Sequence, residues 1–184
     1  MKKSREQFLK ELVLTQNSII GIDGPCGSGK TTLCEMIQSS HEVDVIHLDD
    51  FFLPLELRTL ERMQECGGNI HYERFKEEVL DVILSGNAFS YRRFDCSKMS
   101  YSDTYYIDNT KPIIIEGSYS LREDFRPIYT TSIYIDIAPH IQFERLLQRV
   151  GPNRIKDFET KWIPKENAYF EHYNIQEKAS IVII

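Results

Sequence analysis

The stretch Gly24-Pro25-Cys26-Gly27-Ser28-Gly29-Lys30-Thr31-Thr32 has the spacing G-x-x-x-x-G-K-[ST] and directly follows the apolar run Ile19-Ile20-Gly21-Ile22. A loop of this kind curls its backbone N–H groups around phosphate oxygens and sets the start of a helix behind them. Its glycines leave no Cβ between the backbone and the anion and allow turns that other residues resist. Gly24, Cys26, Gly27, Ser28, Gly29, Lys30, Thr31 and Thr32 are therefore expected to hold the phosphates of a nucleotide. Within that set Lys30 reaches the β- and γ-phosphates and the Thr31 hydroxyl reaches a Mg²⁺ ion. Cys26 reads as a spectator side chain inside the loop.

Phosphoryl transfer asks a protein mainly for alignment and charge neutralisation, so carboxylates and arginines near such a loop are the next candidates. The second apolar run ends His47-Leu48-Asp49-Asp50-Phe51-Phe52. Side chains alternate along a strand, so only one of the two aspartates faces the phosphate if the strand persists, and Asp49 is chosen as the group that takes a proton from an attacking hydroxyl. The run Ile113-Ile114-Ile115-Glu116-Gly117 delivers Glu116 as a second Mg²⁺ contact, directly or through water. Asp136 competes for that task but reads better as a loop cap before Pro139. Arg145 and Arg149 lie four apart on one helical face, with Arg154 beyond Gly151-Pro152-Asn153, and can neutralise charge on the transferred group. The five histidines show no ligand spacing and read as surface or packing residues. Trp162, Glu166 and Tyr169 read as helix packing.

These residues need a scaffold. Short apolar runs alternate with helical patterns, which implies an α/β fold with a five-stranded, mainly parallel sheet and helices on both faces. Strands are expected at Ser18 to Asp23, Val43 to Leu48, Pro112 to Glu116, Ser132 to Asp136 and Ser180 to Ile184. The chain stops at that fifth run, so a base-contacting loop beyond it is expected to be short or absent. Helices are expected over Thr31 to Ser40, Tyr72 to Leu84, Ile141 to Val150 with Phe143, Leu146, Leu147 and Val150 inward, and from Pro164 onward. An amphipathic N-terminal helix, within residues 1–16, carries Phe8, Leu9, Leu12 and Val13 on one stripe and is not read as a signal peptide. Phe51 to Asn69 and Ala88 to Lys111 fit neither period and are expected to lie as aromatic excursions over the carboxyl ends of the strands, where such sheets bind ligands.

The length of 184 residues suits one domain with its own core, and the net charge of −6 argues against a nucleic-acid partner. Four cysteines without C-x-x-C pairing read as free thiols, which places the chain in the cytoplasm. No apolar run is long enough for a membrane span.

Together these segments resemble the uridine kinase group of P-loop nucleoside kinases, which includes nicotinamide riboside kinase. The resemblance rests on Ile22 to Thr32, Leu48-Asp49-Asp50-Phe51-Phe52, Gly67 to Phe75, Tyr91-Arg92-Arg93-Phe94-Asp95-Cys96, Ile115-Glu116-Gly117-Ser118-Tyr119 and Trp162 to Phe170. It implies a P-loop NTPase fold, ATP or GTP as phosphate donor, Mg²⁺, and transfer to the primary hydroxyl of a ribose in a nucleoside. It places the base at Asp49, Mg²⁺ contacts at Thr31 and Glu116, and lid arginines at or near Arg145, Arg149 and Arg154, with the lid at about residues 145–160. With Lys30 and Arg149 beside Asp49 in catalysis, the acceptor would meet Asp49, Phe51, His71, Phe94 and Asp95 within the excursions at about 51–111. His71 stands where many relatives carry an Asp after the G-N-x stretch, and Lys98 and Met99 follow the Phe94-Asp95 pair where relatives carry a His. The partner implied is a small molecule, such as a nucleoside, nicotinamide riboside or another metabolite. The number of copies in solution is left open, and an ATP-sensing regulator is the rival from another class.

Overall fold

A computed structural model describes residues 1–184. A parallel sheet has the order β1-β8-β7-β2-β6-β3, formed by β1 (Lys2–Lys3), β2 (Ile19–Asp23), β3 (Asp44–His47), β6 (Ile113–Glu116), β7 (Thr131–Ile135) and β8 (Ile181–Ile183). Neighbours β2 and β6 pair in register, with Gly21 opposite Ile115 and Ile22 opposite Glu116. Every residue of β2 and of β6 is buried, the pattern of strands covered on both faces. The five expected strands are present within one or two residues of their bounds. The sheet nevertheless has six strands, because Lys2 and Lys3 pair with Val182 and Ile183 at its edge. Two lysines carry no apolar pattern that could announce such a strand.

On one face of the sheet Ile20, Ile22, Ile114 and Ile133 pack against Phe8 of α1 (Arg5–Glu11) and against Leu33 and Ile37 of α2 (Lys30–Gln38). On the other, Ile19, Ile115 and Tyr134 meet Tyr169 and Phe170 of α8 (Ile163–Tyr173) and Ile175 of α9 (Ile175–Lys178). The N-terminal helix is shorter than its stripe implied: Ser4 and Gln7 form a reciprocal capping box, the helix ends at Glu11, and Val13 is exposed. In α6 (Pro139–Val150) Leu146 is fully buried, but Phe143 faces solvent and Gln142 points inward.

The first excursion holds α3 (Leu60–Gln64), and α4 (Tyr72–Phe75) continues through a π-helical stretch into α5 (Asp81–Ile83). The second excursion is not irregular. It is an antiparallel hairpin of β4 (Phe89–Asp95) and β5 (Ser100–Ile107), with a register shift between Arg92 and Phe94. That shift breaks the two-residue alternation from which a strand is read. A short helix α7 (Ile155–Asp157) follows α6. No helix is long and apolar enough to cross a membrane.

Candidate active site

The phosphate loop runs from the end of β2 into α2 and borders a cleft of about 730 Å³, within the range of small-ligand sites. Gly27 and Gly29 take φ of +80° and +92°, a left-handed backbone that turns the loop sharply and favours glycine. Below it the Asp23 carboxylate is fully buried and accepts from the N–H groups of Gly24, Tyr119 and Leu121 and from the Tyr169 hydroxyl at 2.7–3.2 Å. Burial pushes its pKa up to about 6, against the pull of those donors and of Lys30.

Cys26, Gly27, Gly29, Lys30, Thr31 and Thr32 all line the cleft, while Gly24 and Ser28 sit behind it. The Ser28 hydroxyl is buried without a partner. Burial pushes the Cys26 thiol up to about 12, which disfavours its thiolate. The Lys30 ammonium folds onto the Gly24 and Pro25 carbonyls at 2.7 and 3.1 Å.

At the end of β6, Glu116 accepts from the Thr31 hydroxyl at 3.1 Å and from His47 Nδ1 at 2.6 Å. That bond to Glu116 raises the His47 pKa. No three His, Cys, Asp or Glu side chains gather as a metal cage. Mg²⁺ is commonly held by one or two protein oxygens completed by phosphate and water, and the Thr31 hydroxyl with the Glu116 carboxylate fits that donor set.

Asp49 opens onto the same cleft for a reason other than strand alternation. Strand β3 stops at His47, and Leu48–Phe51 form a 3₁₀ turn that buries Leu48, Asp50 and Phe51 and leaves Asp49 facing the cavity. Its carboxyl is reachable from the cleft yet ringed by protein, and that desolvation, reinforced by Glu116, Glu166 and Asp50, raises its pKa against the pull of Lys30. Asp50 turns away to accept from the Tyr91 hydroxyl at 3.3 Å and to approach Arg93 at 3.4 Å.

Arg145, Arg149 and Arg154 all line the cleft, and Arg145 donates to the Gly27 and Ser28 carbonyls at 3.2 and 3.4 Å. Arg5, Arg58 and Lys161 join them. These six cations and Lys30 face three carboxylates, Asp49, Glu116 and Glu166, yet none of the seven forms an ion pair. A cluster of unpaired cations in a protein of net charge −6 fits a polyanionic ligand such as a nucleoside triphosphate.

The expected acceptor contacts are placed differently. Phe51 is fully buried against Phe75 and Tyr91. Phe94 packs on Tyr101, Asp95 accepts from Ser97 in the hairpin turn, and His71 precedes α4; none of the four borders the cleft. Phe52, Arg58, Met63, Asn69, Cys96 and Met99 do. Asn69 is 5% exposed, and its side-chain amide has no hydrogen-bond partner within the protein.

Glu166 was expected only to pack in a helix. Instead its carboxylate accepts from the Cys26 N–H at 2.8 Å and from the Ser118 hydroxyl at 2.7 Å. Its neighbour one turn before, Trp162, lines the cleft, and only Tyr169 of that trio is core. His47 was expected to be surface or packing and instead holds Glu116. Asp136 caps its loop as expected, accepting from Ile137 N–H and Gln176.

A family model described as an AAA domain matches residues 20–171. The chloroplastic uridine/cytidine kinase of Arabidopsis thaliana is 28% identical over 152 residues, covering 77% of this chain and 31% of that protein. The uridine kinase of Staphylococcus epidermidis is 27% identical over 156 residues, covering 80% of this chain and 75% of that one. This chain thus spans about a third of the length of the plant relatives it matches. Among solved structures, one described as a possible uridine kinase from Bacillus stearothermophilus superposes with a TM-score of 0.75 at 21% identity, covering 98% of this chain and 97% of that one. At that identity the likeness concerns the fold.

Proposed function

This chain belongs to the AAA domain family of proteins built on a phosphate-binding loop, and from that premise we propose that it is an ATP- and Mg²⁺-dependent kinase that phosphorylates a hydroxyl of a small molecule. The acceptor proposed is a nucleoside, reacting at its ribose primary hydroxyl, because the relatives it matches include proteins named uridine kinase and uridine/cytidine kinase. One observation carries the reading: Asp49, Lys30 and the Thr31–Glu116 pair open into one cleft whose cations are unpaired.

In this mechanism Lys30 leaves the Gly24 and Pro25 carbonyls for the β- and γ-phosphate oxygens, and the loop amides hold the remaining phosphate oxygens. Thr31 and Glu116 would hold Mg²⁺, which when bound offsets phosphate charge. Asp49 accepts the hydroxyl proton as the acceptor oxygen bonds to the γ-phosphorus and the bond from that phosphorus to the β-phosphate oxygen breaks. Its raised pKa brings it nearer to neutrality as a base. Arg145, Arg149 and Arg154, on a lid over residues 145–160, neutralise charge on the group in transit. Arg58 and Asn69, rather than His71 or Asp95, offer polar contacts to the acceptor.

The test is ADP release from ATP and Mg²⁺ in the presence of a panel of nucleosides, hydroxylated vitamins and sugars. The expected result is release that depends on an added nucleoside. Release with another alcohol alone would keep the kinase and replace the acceptor. ATP that is bound but never consumed would mark a nucleotide sensor and overturn the proposal.

A further inference from the structure

The N-terminal segment contributes a cation that the spacing of motifs does not reveal. Arg5 opens α1, and its Nη2 donates to the Ser28 carbonyl at 3.3 Å, the same oxygen that Arg145 approaches from α6 at 3.4 Å. Two guanidinium groups thus converge on the outer face of the phosphate loop, and neither is paired with a carboxylate. Like charges held this close repel, and burial together with the Arg145 charge lowers the Arg5 pKa. An arrangement that costs energy in the free protein is relieved when an anion enters between the two groups.

The position of Arg5 is fixed from three sides. Strand β1 anchors the preceding lysines on β8, Ser4 caps the helix, and Phe8, 2% exposed, seats it against α2. The guanidinium lies close against the loop backbone, within 2.9 Å of where a Cβ on residue 29 would sit, and the φ of +92° there is what calls for glycine. Arg5, Gly29, Thr32 and Arg145 border the same cleft.

We infer that Arg5 is a contact of the donor nucleotide, paired with Arg145 across Ser28, so that the N-terminal segment forms part of the donor site. The inference rests on the proposal that the donor is a nucleoside triphosphate. It is tested by calorimetric titration of the full chain with ATP and with inorganic tripolyphosphate, together with melting of the ligand-free protein, for Arg5→Gln and Arg5→Ala. The Gln side chain stays polar and removes the charge, while its shorter reach withdraws the donor from the Ser28 carbonyl.

Both variants should bind ATP about tenfold more weakly, the usual scale for losing a hydrogen bond to a charged group, and the ligand-free melting temperature reads the loss of the Ser28 contact separately from that loss of affinity. An equal loss for tripolyphosphate assigns the contact to the phosphates, and a loss for ATP alone assigns it to the nucleoside. Wild-type ATP affinity in Arg5→Gln would overturn the inference and leave Arg5 as a pin for the loop, whatever the melting temperature of Arg5→Ala. Wild-type protein that fails to bind ATP would sink the kinase proposal instead.

Discussion

The two walls of the cleft are built by different means. The proposed donor wall is strand ends, one loop and a turn of α8, and its carboxylates are tied into the protein: Asp23 accepts four hydrogen bonds, Glu116 two and Glu166 two. The acceptor wall is 3₁₀ turns and a hairpin, held by aromatic stacking of Phe51 on Tyr91 and Tyr91 on Tyr105 at 5.2 and 5.3 Å, with the Arg74 guanidinium 4.2 Å from the Phe51 ring centre. Where it meets the cavity it presents Asn69 without a protein partner for its amide. A phosphate has one shape and needs a rigid cradle, whereas an acceptor wall made of packed rings can change its lining without disturbing the loop opposite.

The largest effect that could break this contrast is on turnover. Asp49→Asn should lower kcat by roughly 10²–10⁴-fold, the range for losing a positioned base, with ATP affinity near wild type by calorimetry. Full activity would remove Asp49 from the chemistry. Because the carboxyl must be ionised to take a proton, wild-type turnover should fall as pH falls. Desolvation raises the Asp49 pKa, so that fall should be centred above the ordinary carboxylate range of about 4. A pH-rate profile with its acid limb at or below 4 would contradict it.

Next comes the foundation of the donor wall. Asp23→Asn turns an NH₂ group toward N–H donors and should cost about 2–3 kcal/mol in chemical denaturation, the penalty for buried polar groups left unsatisfied. A change within error would mean that the four hydrogen bonds to Asp23 are incidental to the stability of this wall. The smallest effect is expected on the hairpin of the other wall. Tyr106 is 70% exposed, and Tyr106→Ser should shift stability by no more than about 0.5 kcal/mol. A larger loss would show that the hairpin packs against something in solution that the single chain does not contain.

How much was legible follows the same division. The phosphate loop, the five apolar strands and Glu116 at the end of its isoleucine run are local patterns, and the structure reproduces them within one or two residues. Strand alternation says only that one of Asp49 and Asp50 faces the phosphate, whereas the 3₁₀ turn that ends β3 is what turns Asp49 to the cleft. The hairpin was hidden by the register shift between Arg92 and Phe94, and four aromatic or polar residues expected at the acceptor lie elsewhere. Their chemistry was plausible, but burial decided their use: Phe51 and Phe94 are worth more as core than as ligand contacts.

The order of residues by itself determined the phosphate cradle and the five apolar strands, because each is specified by neighbours a few positions apart. Only the tertiary structure decided that Arg5 lies over Ser28, that His47 braces Glu116 and that Glu166 reaches back to Cys26, since these partners are separated by 23, 69 and 140 positions. Such meetings depend on which faces the strands and helices bury, and burial is a sum over the whole chain rather than a property of any segment.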